Sequence, residues 1–216
     1  NKEKCWVWRA RFWGHEPQVD KALLDAGFHL VYVDVAGLYG NHEAVNRWND
    51  FYRFITRKYK LNPKVVLEGM SRGGVIVYNW ASQNTDKVAC IYADAPVCDI
   101  KSWPGGLYKG KGSPADWKAC LEVYNLDENT VLWYENIPVN NAVKIAKANI
   151  PVIHVCGLAD DVVPYAENTE KLAENFKEAD GKIELILKEG VGHHPHSLKD
   201  PKPIVDFILD NTVKKK

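Results

Sequence analysis

The sequence predicts an α/β protein with a doubly wound, mostly parallel sheet, carried as a single domain over residues 1–216. Three observations predict it. Short apolar runs rich in β-branched and aromatic residues recur along the chain, segments of helical periodicity lie between them, and Gly or Pro marks the junctions. Near-continuous apolar runs of this length suit strands buried on both faces. Their alternation with helices implies right-handed βαβ units. With 216 residues, 46% of them apolar, the chain can bury a substantial core.

The elements follow in order. "CWVW" (5–8) and "HLVYVDV" (29–35) read as strands, separated by a helix in "VDKALLDAG" that Gly27 caps. Ala44, Val45, Trp48, Phe51, Tyr52 and Ile55 recur at three- and four-residue spacing and predict an amphipathic helix. "KVVLEG" (64–69), "VACIYAD" (88–94), "IPVIHVCG" (150–157) and "KIELILK" (182–188) complete the set of strands. A helix is expected over "PYAENTEKLAENFKEAD", with Pro164 in its first turn and Gly181 just past its end. Roughly residues 99–149 break the rhythm. A Gly/Pro-rich loop, "SWPGGLYKGKGSPADW", leads into a short helix, and the stretch reads as a cap-like excursion over one end of the sheet.

Composition excludes several classes. Lys+Arg and Asp+Glu balance at 28 each, which argues against a nucleic-acid protein, since phosphate contacts need a clustered positive surface. Lys214, Lys215 and Lys216 read as a solvated tail. No apolar run approaches the roughly 18 residues that span a bilayer, so no membrane partner is expected. Cys5, Cys90, Cys98, Cys120 and Cys156 show no zinc spacing. Cys90 and Cys156 read as buried hydrophobes, and a Cys98–Cys120 bridge is compatible with an odd count. They leave the compartment undecided, with a secreted or periplasmic one slightly favoured.

The chemistry gathers at "LEGMSRGGVIVYNWA" (67–81), where Gly69-Met70-Ser71-Arg72-Gly73 fits G-x-S-x-G. The motif follows a predicted buried strand and opens a predicted helix, as a nucleophile elbow requires. The alternative is a plain turn with a capping serine. A serine hydroxyl needs a base, and the base needs an orienting acid, here expected in the order Ser, acid, His. "HVCGLADDVVP" (154–164) supplies Asp160 and Asp161, and "EGVGHHPHSL" (189–198) supplies His193, His194 and His196. Asp160 is preferred as the first Asp after a G-x-x loop, with Asp161 as the alternative; Asp94 and Asp99 suit turn roles. His193 is preferred because it directly follows Gly192, ahead of His194 and His196, while His154 falls within a strand and reads as a core residue. The three clustered histidines match no common zinc motif, so no metal site is expected. Gly105 to Lys111 is a near miss to a phosphate loop, with Gly112 in place of Ser/Thr, and no dinucleotide fingerprint occurs. No cofactor is expected.

With these motifs in view, the chain resembles the α/β-hydrolase superfamily of serine esterases and peptidases. It is similar more narrowly to single-domain hydrolases of polysaccharide-degrading bacteria. "WVWRARFWG", "GMSRGG", "DAPVCDIKSWPGG", "GLADDVVPY" and "GHHPHSL" carry the likeness. The resemblance implies an α/β-hydrolase fold, with Ser71 as nucleophile, Asp160 as acid and His193 as base. It brings to mind carbohydrate esterases of pectin methylesterase or sugar acetylesterase type. The superfamily usually places two strands ahead of the one at 5–8, and almost nothing precedes it here, so those strands are either missing or cut back.

The expected oxyanion donors are the backbone N–H of Arg72 and, from the turn after the first strand, that of Ala10. Trp8, Trp13, Trp103, Trp117 and Trp133 could stack on sugar faces or fill a core, and Trp103 is chosen as a substrate contact. Arg9, Arg11 and Arg72 gather around the active turn; turned inward, they would hold an acidic sugar. The expected partner is therefore a small-molecule or glycan ester. A small peptidase of prolyl oligopeptidase type and a non-catalytic binding module remain the alternatives.

Overall fold

The computed structural model describes residues 3–212, so the C-terminal lysine tail lies outside the described residues. Six strands form one sheet in the order β2-β1-β3-β4-β5-β6, every neighbouring pair parallel. They are β1 (Trp6–Arg9), β2 (His29–Tyr32), β3 (Val65–Met70), β4 (Val88–Asp94), β5 (Val152–Gly157) and β6 (Ile183–Lys188). All six predicted strands are present. β2 stops at Tyr32 rather than Val35, because the Asp34 carboxylate accepts the Ala36 N–H (2.9 Å) and turns the chain.

Strand alternation sorts the core into two layers. On one face Trp6, Trp8, Leu67, Ile91 and Val152 pack under α2 (His42–Tyr59), α3 (Gly73–Ala81), α5 (Pro138–Lys147) and α6 (Thr169–Glu178). On the other, Val7, Val66, Tyr92, Ile153 and Val155 meet α1 (Gln18–Asp25) and α7 (Lys202–Thr212). The first layer is unusually aromatic. Trp8 stacks on Trp48 with centroids 3.9 Å apart and meets Trp80 edge-on at 5.3 Å. α2 is secured at its start by Asn41, whose side chain accepts the Ala44 N–H at 3.0 Å.

Two expectations are corrected. The helix expected from Pro164 starts at Thr169, after a 3-10 turn at Tyr165–Glu167. Asn168 breaks it at φ −121°, ψ −87°, because its side chain is committed to the Cys98 and Asp99 N–H groups (2.8 and 3.2 Å). The excursion is also shorter than 99–149. Its loop and α4 (Pro114–Tyr124) leave the sheet, but α5 packs beside α3 and α6 as the ordinary crossover into β5. All five cysteines are buried, and Cys98 and Cys120 are not bridged. Among the described residues, no helix is long and apolar enough to cross a membrane.

Candidate active site

Ser71 occupies the turn between β3 and α3 with φ +50°, a backbone conformation that costs energy for a residue with a Cβ. The surroundings hold it there. Its N–H donates to the Asp94 carbonyl (2.8 Å), and its own carbonyl accepts the Gly74 and Val97 N–H groups (both 2.9 Å). Gly74 is required by close approach, since a Cβ there would stand 2.6 Å from Pro96 Cβ. The serine thus sits at the carboxyl edge of the sheet and at the amino end of α3, where unpaired N–H groups and the helix dipole favour negative charge.

His193 and Asp160 meet it from the loops after β6 and β5. His193 Nε2 lies 2.9 Å from Ser71 Oγ, and His193 Nδ1 lies 2.7 Å from Asp160 Oδ2. The other Asp160 oxygen accepts the Val162 and Val163 N–H groups (2.9 and 2.8 Å), so the carboxylate is fixed within its own turn. Asp161 points outward to Lys111 (2.6 Å), and that hydrogen bond lowers its pKa. Asp99 serves a turn, accepting the Lys101 N–H (2.9 Å). His154 is fully buried between Tyr78 and Thr169, and burial depresses its pKa from 6.5 to about 3.

Asp94 and His196 form a second carboxylate–imidazole pair, 2.7 Å apart and buried. Asp94 also accepts the Ser197 N–H (2.7 Å) and the Tyr92 hydroxyl (3.0 Å). His194 is exposed. Partial burial, aided by the neighbouring imidazoles of His196, His193 and His15, lowers its pKa.

The loop after β1 departs most from expectation. The Ala10 N–H is taken by the Glu68 carbonyl (2.9 Å), extending the β1–β3 ladder, so it cannot donate to an oxyanion. The next amide nitrogen, that of Arg11, lies 3.7 Å from where a Cβ on Gly73 would stand, beside the start of α3. Arg9 is no substrate contact. Its guanidinium is buried, paired with Asp20 and with Glu68 (3.0 Å), and it donates to the Arg11 and His15 carbonyls (3.1 and 2.5 Å). It braces the loop from beneath. Burial, reinforced by the Asp20 charge, pushes the Glu68 pKa well above the carboxylate range against the pull of Arg9.

Arg11 and Trp103 do not line the cleft either. The Arg11 guanidinium lies over the Phe12 ring at 5.0 Å. Trp103 packs beneath the Arg72 guanidinium (5.6 Å), which is itself paired with Asp116 at 2.9 Å. Arg9 and Arg72 are thus already paired with carboxylates and are not free to hold an acidic sugar. Instead a cleft of about 410 Å³ beside Ser71 and His193 is lined by Phe12, Trp13, His15, His194 and His196. Trp13 is 56% exposed. In the sequence Trp13 is one tryptophan among several, and Phe12 and His15 belong to no catalytic motif; their position between the first strand and its following helix is the signal that marks them.

The model of the prolyl oligopeptidase family matches residues 21–213. No curated protein matches in sequence. Among solved structures, the chain is similar to a puromycin-hydrolyzing peptidase of Mycobacterium tuberculosis (14% identity, TM-score 0.74), covering 100% of this chain and 35% of that one. It is similar to an acylaminoacyl peptidase of Pyrococcus horikoshii (17%, TM-score 0.74; 100% and 38% covered). A truncated carbohydrate esterase from gut microbiota is likewise similar (17%, TM-score 0.71; 98% and 87% covered). The chain therefore spans little more than a third of the length of the two peptidases. These likenesses show the α/β-hydrolase fold, and the family match shows that the chain belongs to the prolyl oligopeptidase family of serine hydrolases.

Proposed function

Starting from membership of the prolyl oligopeptidase family, we propose that this chain is a serine carboxylic-ester hydrolase whose substrate is a carbohydrate ester. The observation that carries the proposal is the continuous hydrogen-bonded line from Ser71 through His193 to Asp160. In the proposed reaction His193 Nε2 accepts the Ser71 proton as Oγ attacks the ester carbonyl. Asp160 accepts from Nδ1–H, holding the productive tautomer and stabilising the imidazolium. The tetrahedral oxyanion receives the Arg72 N–H and, in place of Ala10, the Arg11 N–H. One such donor is worth about 3–4 kcal/mol of barrier. His193 then protonates the departing alcohol, and water repeats the attack on the acyl-enzyme. A sugar is favoured over a peptide because an exposed tryptophan, Trp13, lines the cleft with Phe12 and offers a flat apolar face for stacking. The likeness to a carbohydrate esterase along 87% of that chain supports the same reading. The family name favours a second reading, amide hydrolysis by the same residues.

The test compares p-nitrophenyl acetate, acetylated sugars and aminoacyl amides. Ser71→Ala is expected to lower kcat by about 10⁴-fold or more. Trp13→Ala is expected to raise KM for the sugar ester several-fold and leave p-nitrophenyl acetate unchanged. Turnover of amides in preference to esters would replace the first reading with the second.

A further inference from the structure

The proposed ester reaction uses one of the three histidines gathered at the cleft. His193, His194 and His196 stand with ring centroids 4.7–5.1 Å apart and planes at 76–85°, so each imidazole meets the others edge to face. One potential ligand atom from each lies within 4.8 Å of the others. Tetrahedral zinc with bonds of 2.0–2.1 Å brings its ligand atoms to about 3.3 Å from one another. The difference is a modest closure, and His194, exposed at the rim, has the freedom to make it.

A second observation points to a ligand independently of the clustering. Two of the three imidazoles are already held by carboxylates through Nδ1: His193 by Asp160 and His196 by Asp94, each at 2.7 Å. A carboxylate on one ring nitrogen orients the other and raises its basicity, and metal-bound histidines are built in this way. The buried Asp94 is itself fixed by the Ser197 N–H and the Tyr92 hydroxyl. His193 and His196 thus share an orienting arrangement, although only His193 reaches the nucleophile.

We propose that His193, His194 and His196 form a site for a zinc-type divalent transition-metal ion, and that this ion inhibits the enzyme. The claim of inhibition rests on the esterase reading; the claim of a site does not. Nδ1 of His193 is committed to Asp160, so the ion takes Nε2, the nitrogen that otherwise accepts the Ser71 proton. Coordination occupies that lone pair and disables the base. Ser71 Oγ, 2.9 Å from Nε2, stands where it or a water can fill the fourth position. All five cysteines are buried, so thiolates offer the ion no competing surface site.

The experiment titrates Zn²⁺ by calorimetry, and Co²⁺ by visible absorption, into wild type, Ser71→Ala and His194→Ala; turnover of p-nitrophenyl acetate is followed in parallel. One ion is expected to bind wild type and Ser71→Ala, and the inhibition of wild type is expected to reverse on adding EDTA. In His194→Ala metal binding should weaken at least tenfold, and the zinc concentration that halves the variant's own turnover should rise at least tenfold. Absence of binding, binding unchanged in His194→Ala, or binding without inhibition of an active enzyme would overturn the proposal. A protein that hydrolyses no ester yet binds one ion through His194 would keep the site and overturn the esterase reading instead.

Discussion

The clearest contrast at the scale of single residues is between His154 and His193. His154 lies within β5 and is sealed in the core, whereas His193 sits in the loop after β6 and faces a serine. His154 is neutral in the folded protein, its pKa lowered by burial from 6.5 to about 3. Above pH 6.5 it is neutral folded or unfolded and contributes no pH dependence. Between 6.5 and about 3 the unfolded chain takes up a proton that the folded one excludes, so stability is lost as the pH falls. The expected slope is on the order of 1 kcal/mol per pH unit. Urea denaturation of wild type and His154→Gln at pH 7 and pH 5 measures it, with the variant losing less on acidification. Equal losses would mean that another group carries the acid sensitivity.

At the scale of elements, the β3-turn-α3 unit does the positioning. Its glycines serve packing more than flexibility, as Gly74 shows against Pro96 and Val97. Gly74→Ala should lower the melting temperature by several degrees, equivalent to about 1–3 kcal/mol of overpacking. Because Val97 and Ser71 share a backbone hydrogen bond, ester turnover should fall as well. A variant with wild-type melting and turnover would show that the Pro96 turn yields freely. The loop after β1 shows the opposite relation, in which an element is held by a charge below it. Arg9 and its two carboxylates tie that loop to α1 and β3, and so set the height of the Arg11 amide over the serine.

Across the whole molecule, the site is assembled from loops that follow β1, β3, β5 and β6, all at one edge of a parallel sheet. The excursion is attached to this scaffold both by apolar residues, with Trp117, Cys120 and Val131 buried in the main core, and by buried polar contacts. Glu167, next to α6, accepts the Lys109 and Gly110 N–H groups (2.6 and 3.2 Å) and the Ser102 hydroxyl (2.6 Å). Glu167→Ala leaves those donors unpaired at about 1–3 kcal/mol each. Hydrogen exchange should therefore accelerate at residues 102–112 while β3 and β4 keep their protection. Uniform acceleration would indicate that the whole fold, and not the excursion alone, had been loosened.

The sequence by itself determined the six strands, the elbow and the order Ser71, Asp160, His193. Apolar periodicity, turn chemistry and strand-end placement are written in short windows of chain, and those windows survive folding unchanged. Tertiary structure decided what each nearby side chain is free to do. Arg9 looked like a substrate contact until Asp20 and Glu68 came to neutralise it, and Ala10 looked like an oxyanion donor until the Glu68 carbonyl took its N–H. Asp94 read as a turn residue, yet it orients His196 from a strand at the centre of the sheet. In each case the deciding partner arrives from another element. A polar group's availability depends on which donors and acceptors folding brings beside it, and local sequence does not contain that information.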